Sequence, residues 1–451
     1  MGELPAGRIR RTLKPMGFAA RAAATAAAGR LRGSTPEERR IRTAEQAVAL
    51  MGEMKGAVMK LGQLLSFVDT GLLPDEMATV LESLQADAPP MALELVQEVV
   101  AAELGAPASR VFDWFSPEPM AAASIGQVHA ARLDGRELVV KVQYPGVADA
   151  IAADLSNTAL ITAFVNMARS VAKDWAPRAD LRPLADEIVE RVLEELDYRR
   201  ELDNQQTFAG IYRGHPFIHI PEVVPELSTA RVLTMEHVDA MRWQAAVHAP
   251  QALRDRWGEV TYRFVFGSLY RHAIFNGDPH PGNYLFHDDG TVTFLDFGSV
   301  KRFTAAQTGA LMKIGRAVLA QDGPLLVEGF REAGFTTDED DVDPDRLLPY
   351  ASAGYEPVVA PQPFSFTREF GRRAIAHQFG LAAEHRAMAF GFEVPRDYVL
   401  LSRITVGVHF ILTGLEATGP WRAIAEELWL DAPPQTELGE AEAAWRLAST
   451  P

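Results

Sequence analysis

The sequence predicts an α+β chain of two lobes, one small and strand-rich, one large and helical, preceded by a helical extension. Three observations carry this. From Thr43 to about Arg110 apolar residues recur three and four apart, the period of an amphipathic helix. From Val111 the texture changes. "QVHAARLDGRELVVKVQY" is two alternating runs joined by Asp134-Gly135, a hairpin signal. After Trp243 the chain reads as mostly helical, except for "YLFHDDGTVTFLDFG", a second hairpin turning at Asp289-Gly290.

Taken in order, residues 1–43 form a basic, Ala/Arg-rich tail with ten Lys or Arg against three Glu, which sets it apart from the acidic remainder. It reads as a solvated tail, a helix on an anionic membrane, or a transit peptide. Residues 44–110 form the helical extension. "LPDEMATVLESLQADAPP" is stopped by Pro89 and Pro90, and "MALELVQEVVAAELG" ends at Gly105, a C-cap. Residues 111–242 form the small lobe, with inserted helices from about Val147 to Gly210 and one more strand in "ARVLTMEHV". Residues 243–451 form the large lobe.

Composition sets limits. A chain of 451 residues has room for two or three domains. The net charge of −16 argues against a general nucleic-acid binder. The chain has no cysteine, which removes disulfides, zinc-thiolate sites and thiol nucleophiles, and fits a reducing cytoplasm. No secretory signal opens the chain, and the apolar run between Arg403 and Glu416 is too short to span a bilayer. The expectation is a cytoplasmic protein, with peripheral membrane contact through the basic N-terminus as an alternative.

The stretch "NGDPHPGNYLFHDDGTVTFLDFG" holds the chemistry. Asp278 is followed five residues later by Asn283, and Asn283 thirteen residues later by Asp296 in Asp296-Phe297-Gly298. Phosphoryl-transfer enzymes of the protein-kinase type use that order for a base and two magnesium ligands. An attacking hydroxyl must lose a proton, so a carboxylate stands beside it. A triphosphate needs hard cations, which take amide and carboxylate oxygens. Asp278 is therefore the candidate base, and Asn283 and Asp296 the candidate metal ligands. The bland alternative makes Asp278-Pro279 a turn and the other two loop polars. A metal-hydrolase reading would use Asp278, His280, His287 and Asp288, but the His spacing of a zinc helix is missing.

A kinase also needs a lysine for the phosphates and a loop over them. Lys141, at the end of the Val-rich run "ELVVKVQYPG", fits the first. One hairpin earlier, where a glycine-rich loop is expected, stands "MAAASIGQVH", with Ala121, Ala122, Ala123 and Ser124. Alanine resists the angles and close approach that glycine permits, so this loop should be stiffer. It also reads as the start of a small-residue helix packed on a neighbour.

Together "MKLGQLLSF", "MAAASIGQVH", "VVKVQYPGV", "EELDYRREL", "GDPHPGN" and "LDFG" resemble the UbiB family of atypical kinases, the group linked to coenzyme Q biosynthesis. The resemblance runs from about residue 44 to 300, and more loosely to 430. It implies a protein-kinase-like fold in which an alanine-rich loop replaces the glycine loop. It also implies an N-terminal extension over the active site, and ATP-dependent activity without clear protein-kinase activity. Glu201 is then the partner of Lys141, and Glu195 and Asp197 form the family's E-x-D motif. Lys60 and Gln63 reach toward those carboxylates and block a protein substrate. Met235, Glu236, His237 and Val238 form the hinge whose backbone takes adenine. From spacing alone, Glu187, Glu190, Glu194, Asp197 and Glu201 recur at +3 and +4, one continuous face of a helix.

The sequence thus reads as a magnesium-dependent, ATP- or ADP-binding atypical kinase or ATPase. Its expected partners are the nucleotide and a component of a quinone or lipid pathway. The alternatives are a nucleotide-binding pseudokinase scaffold and a small-molecule kinase resembling the aminoglycoside phosphotransferases.

Overall fold

Both Asp-Gly hairpins form, and backbone angles say why. Asp134 and Gly135 have φ of 51° and 75°, the left-handed pair that a two-residue turn between twisted strands requires. The computed structural model describes residues 91–123, 125–149, 151, 194, 196–378 and 395–449. Helices longer than four residues are numbered here in chain order. The chain divides into two compact units, and the division falls after Leu133, within strand β4 (Arg136–Gln143) and after Leu196.

In the first unit, helix α1 (Leu93–Leu104) buries Val96, Val99 and Val100. It stops at Gly105, whose φ of 76° no β-carbon opposes and whose N–H donates to the Ala101 carbonyl at 3.0 Å. Strands β1 (Trp114–Phe115) and β2 (Ala121–Ala123) both pair antiparallel with β3 (Gly126–Leu133), and β4 is the next strand in order. Along β4, Leu138, Val140 and Val142 are buried while Val139 and Lys141 are half-buried. The period of two therefore turns Lys141 away from the buried valines. A β-carbon on Gly126 would run into the Val142 carbonyl, so the close approach of β3 and β4 needs glycine there.

Two fully buried polar side chains interrupt this core. Gln127 accepts from Met91 N at 2.8 Å and donates to Met91 O at 3.3 Å. Its amide also lies 2.9 Å from His129 Nε2, and His129 Nδ1 lies 2.9 Å from the Ser116 carbonyl. A carbonyl only accepts, so Nδ1 carries the proton and Nε2 receives the Gln127 amide. The pair fastens the start of α1 to the sheet without an unpaired polar atom.

In the second unit, helix α2 (Tyr198–Ile211) buries Tyr198, Glu201, Gln205 and Phe208, a +3, +4, +3 stripe. Strand β6 (Val232–Glu236) is almost wholly buried. Helix α3 (Gln251–His272) carries Trp257 and Phe264 into the core, and the Phe264 ring stacks on Phe294 at 3.7 Å between centroids. Strand β8 (Tyr284–Phe286) pairs antiparallel with β9 (Val292–Phe294), and β9 pairs parallel with β5 (Ile218–His219). Strand β7 (Ile274–Asn276) pairs antiparallel with β10 (Val300–Arg302). The rest is mainly helical, with one short antiparallel pair of Phe364–Ser365 and Thr418–Gly419: α4 (Ala305–Ala320), α5 (Gly323–Glu332), α6 (Pro344–Gly354), α7 (Arg368–Gln378), α8 (Arg396–Gly414), α9 (Trp421–Trp429) and α10 (Glu437–Ser449).

Three expectations change. The alanine stretch is an extended strand, neither an open loop nor a helix start, because β3 offers it a register: Ala121 opposite Val128, Ala122 opposite Gln127, Ala123 opposite Gly126. Strands β7 and β10, three residues each, were hidden in a region read as helical. They are too short for a period of two to show. The continuous acidic helix face is broken. Asp197 has φ −121° and ψ 102°, and its carboxylate accepts from Arg199 N, so it caps α2 and is not a member of one long helix with Glu194. A short acidic side chain that can hold its own backbone two residues on favours a cap over a helix interior.

Candidate active site

The loop from Asn276 to Gly298 is held at both ends by strands. β7 opposes β10 with Asn276 across from Val300. The β8–β9 hairpin then returns the chain, Tyr284 facing Phe294 and Leu295 N donating to Asn283 O at 2.7 Å. The segment carrying Asp296 is thereby brought back beside the one carrying Asn283.

Within this frame the three predicted residues come together. Asn283 Nδ2 donates to Asp278 Oδ2 at 3.2 Å and lies 3.3 Å from the Asp278 carbonyl. Asp278 and Asp296 are joined through a residue the sequence reading missed. Asn276, 6% exposed, accepts from Asp278 N at 3.0 Å and donates to the Asp296 carbonyl at 3.0 Å. Asn276 stands two residues before the candidate base, where the kinase catalytic loop has a histidine. That offset was the signal that would have found it. Asp296 has φ 62°, a left-handed angle uncommon for a residue with a β-carbon, and its Oδ1 accepts from Gly298 N at 3.1 Å. The Tyr284 hydroxyl is pushed well up, first by burial and then by the Asp278 carboxylate nearby.

His280 is not a candidate ligand in this arrangement. Its Nδ1 accepts from Gly282 N at 3.0 Å and caps the short turn Pro281–Asn283. His287 bonds Thr293 Oγ1 at 2.8 Å. Among the described residues no three His, Asp or Glu side chains group as metal ligands, so the hydrolase reading finds no site.

Glu201 lies on the buried face of α2, 4% exposed, and is not on a solvated acidic stripe. Lys141 lies on β4 in the first unit, as do Ala121, Ala122 and Ala123 on β2. Gln143, on the same face of β4 as Lys141, donates to the Leu196 carbonyl at 2.9 Å, the middle residue of Glu195-Leu196-Asp197. The strand of the candidate phosphate lysine is thus tied to the E-x-D segment. Glu195 itself, Ser124, Lys60, Gln63, Glu187 and Glu190 lie outside the described residues.

At the expected hinge, Met235 is buried and Glu236, His237 and Val238 are half-buried. Glu236 N donates to Glu222 O at 2.8 Å and His237 N donates to Glu137 O at 3.0 Å. The His237 N–H is therefore committed to β4. A cavity of about 660 Å³ opens beside this segment between Arg213, His215, His219 and Glu222. Of the predicted site residues only Glu236 and His237 line it, and neither Asp278 nor Asp296 does. Among the described residues no helix is long and apolar enough to cross a membrane.

A family described as the ABC1 atypical kinase-like domain matches residues 83–328, more than half of the chain. The yeast protein "Atypical kinase COQ8, mitochondrial" (Saccharomyces cerevisiae) is 34% identical over 254 residues, covering 56% of this chain and 49% of its own. An uncharacterised protein of Synechocystis is 30% identical over 390 residues, covering 86% of this chain and 55% of its own. The chain therefore spans about half the length of these curated relatives. A solved complex of Rv3197 with erythromycin, from Mycobacterium tuberculosis, superposes with a TM-score of 0.59 at 31% identity, covering 87% of this chain and 97% of that one. Fold, motif order and family match agree: the chain belongs to the ABC1 family of atypical kinase-like proteins, the UbiB group, and has a kinase-like fold.

Proposed function

We propose that the chain binds magnesium-ATP and passes the terminal phosphoryl group to an acceptor hydroxyl or to water. The observation that supports this best is the cluster itself. One buried amide, Asn276, spans Asp278 and Asp296, and a second, Asn283, holds the Asp278 carboxylate. The donor set suits the metal. Asn283 offers an amide oxygen and Asp296 a carboxylate, the hard oxygens magnesium takes. Bound there, magnesium would supply positive charge against the phosphates. Asp278 orients the acceptor hydroxyl and receives its proton as the new O–P bond forms and the bond to the β-phosphate oxygen breaks. Lys141 supplies a fixed cation for the phosphates, and Glu201, by the family resemblance, aims it.

The acceptor, and a role in quinone or lipid metabolism, rest on the family alone, as does regulation by Lys60, Gln63, Glu195 and Asp197. Cytoplasmic placement and peripheral membrane contact through the basic tail are proposed from composition, the absence of cysteine and the ten Lys or Arg of residues 1–43. Since one relative is solved with erythromycin, that macrolide belongs among the ligands to be tried beside lipids and quinone precursors.

Thermal shift with magnesium-ATP tests the reading. The wild type should be stabilised and Asp296→Asn much less, because an amide replaces a charged oxygen ligand. Asp278→Asn should keep nucleotide binding but lose turnover by roughly 10²–10⁴-fold, the usual worth of a positioned base. Equal shifts in wild type and Asp296→Asn would sink the metal assignment. A wild type that binds nucleotide but turns over with no acceptor would favour the pseudokinase scaffold.

A further inference from the structure

We infer that Asn204 of α2 is a positioning residue that holds the Asp296-Phe297-Gly298 turn in its present conformation, and that Arg302 sets the direction of its amide. Asn204 Nδ2 donates to the Phe297 carbonyl at 3.0 Å. Arg302 Nη1 donates to Asn204 Oδ1 at 3.0 Å. A guanidinium has donors and no acceptor, so it forces the amide oxygen toward itself and the NH₂ group toward Phe297. Asn276 grips the Asp296 carbonyl from β7. Two consecutive carbonyls of the turn are thus held by two asparagine amides from different elements. The Phe297 ring adds a third anchor, 4.8 Å from Phe208 on α2.

This turn needs holding. Asp296 sits at φ 62°, and a side chain in that region persists where surrounding structure over-determines it. Two of these three anchors lie on α2, Asn204 and Phe208, and Arg302 of β10 bonds the first of them. Arg302 lies opposite Ile274 in the β7–β10 pair, and Lys301 beside it donates to Asp397 Oδ1 on α8 at 2.6 Å. The segment after the turn is therefore stitched to α2 on one side and α8 on the other. A shift of α2, which also carries Glu201 one turn earlier on the helix, would be felt at Asp296 through Asn204.

The inference concerns the turn and is testable without nucleotide, although its catalytic consequence rests on the magnesium reading above. Asn204→Asp is the discriminating variant. It keeps shape and improves the partner for Arg302, but removes the donor to Phe297. The wild type, Asn204→Asp and Arg302→Met are compared by amide exchange in the free protein. Exchange of the Gly298 and Ser299 amides should be about tenfold faster in both variants, with α3 unchanged. In a magnesium titration at fixed ATP, Asn204→Asp should need about tenfold more magnesium for half the thermal shift. Asn204→Gln, which retains both amide functions, should recover part of it. Wild-type exchange at Gly298 and Ser299 in Asn204→Asp would overturn the inference. If the wild type itself gives no magnesium-dependent shift, the magnesium reading fails, and the exchange result alone decides the role of Asn204.

Discussion

At the scale of the residue, the candidate site is organised by amides more than by charges. Asn276, Asn283 and Asn204 each place a donor on an oxygen of Asp278, Asp296 or Phe297. An amide can donate and accept at once without changing charge with pH, which suits a residue that must bridge two backbone groups beside carboxylates. Asn276→Ala would take away the amide that Asp278 N and the Asp296 carbonyl share. The expected cost is about 1–3 kcal/mol of stability, with a fall in ATP turnover. Urea denaturation beside a turnover assay checks this, and a variant with wild-type turnover would show that the two aspartates do not need the bridge. Gln127 follows the same logic in the first unit, satisfying both backbone groups of Met91 where a charge would be costly to bury.

At the scale of the element, the buried ion network of α3 fixes the C-terminal helices. Arg263, 2% exposed, donates to Glu259 at 2.7 Å, to Glu427 on α9 at 2.8 and 3.0 Å, and to Glu442 on α10 at 3.0 Å. Burial raises the Glu442 carboxyl, and the charges of Arg263 and Arg271 pull it back. Such a network need not be better than an apolar packing of the same shape, but removing one partner strands the others. Arg263→Ala should therefore destabilise by about 3–5 kcal/mol, read as a shift of the denaturation midpoint. A loss below about 1 kcal/mol, the range of surface ion pairs, would mean that water reaches the carboxylates. Trp445 on α10 lies 4.5 Å from the His215 ring and donates to the Arg213 carbonyl at 3.2 Å, so the same helix also steadies the loop after α2.

At the scale of the whole molecule, histidines that the fold keeps neutral contribute to how stability responds to acid. His409 on α8 is lowered to about 4 by burial, against Phe366 and Phe370. His215 is lowered to about 3, by burial and then by the charge of Arg263. His129 is lowered by burial, partly offset by its bond to Ser116. In each the folded state prefers the neutral ring, while the unfolded ring takes a proton near 6.5. The stability is thus complete above pH 6.5 and is lost as pH falls from there toward about 4 for His409 and about 3 for His215. The ceiling is about 1.4 kcal/mol per pH unit for each ring, and less where water reaches it. Urea midpoints measured from pH 7.5 to 4.5 should fall steadily below 6.5, and His409→Leu should flatten the curve. An unchanged slope in that variant would remove His409 from the explanation.

What the sequence determined by itself was local. The Asp-Gly turns, the cap at Gly105, the strand of Lys141 and the triplet Asp278, Asn283 and Asp296 were all readable. Each rests on neighbours a few residues apart, or on a fixed spacing that chemistry demands. The family could be seen for the same reason, since its motifs are short and ordered. What only the tertiary structure decided was long-range. The alanines of β2 became a strand because β3 lay beside them. One local choice also escaped the spacing: Asp197 bonds the backbone two residues on and starts α2, which breaks the stripe of carboxylates. Asn204 reaches the Phe297 carbonyl, and Arg302, across more than ninety residues of chain. No periodicity marks such a contact, because a hydrogen bond depends on where folding places two groups and not on how far apart they stand in the chain.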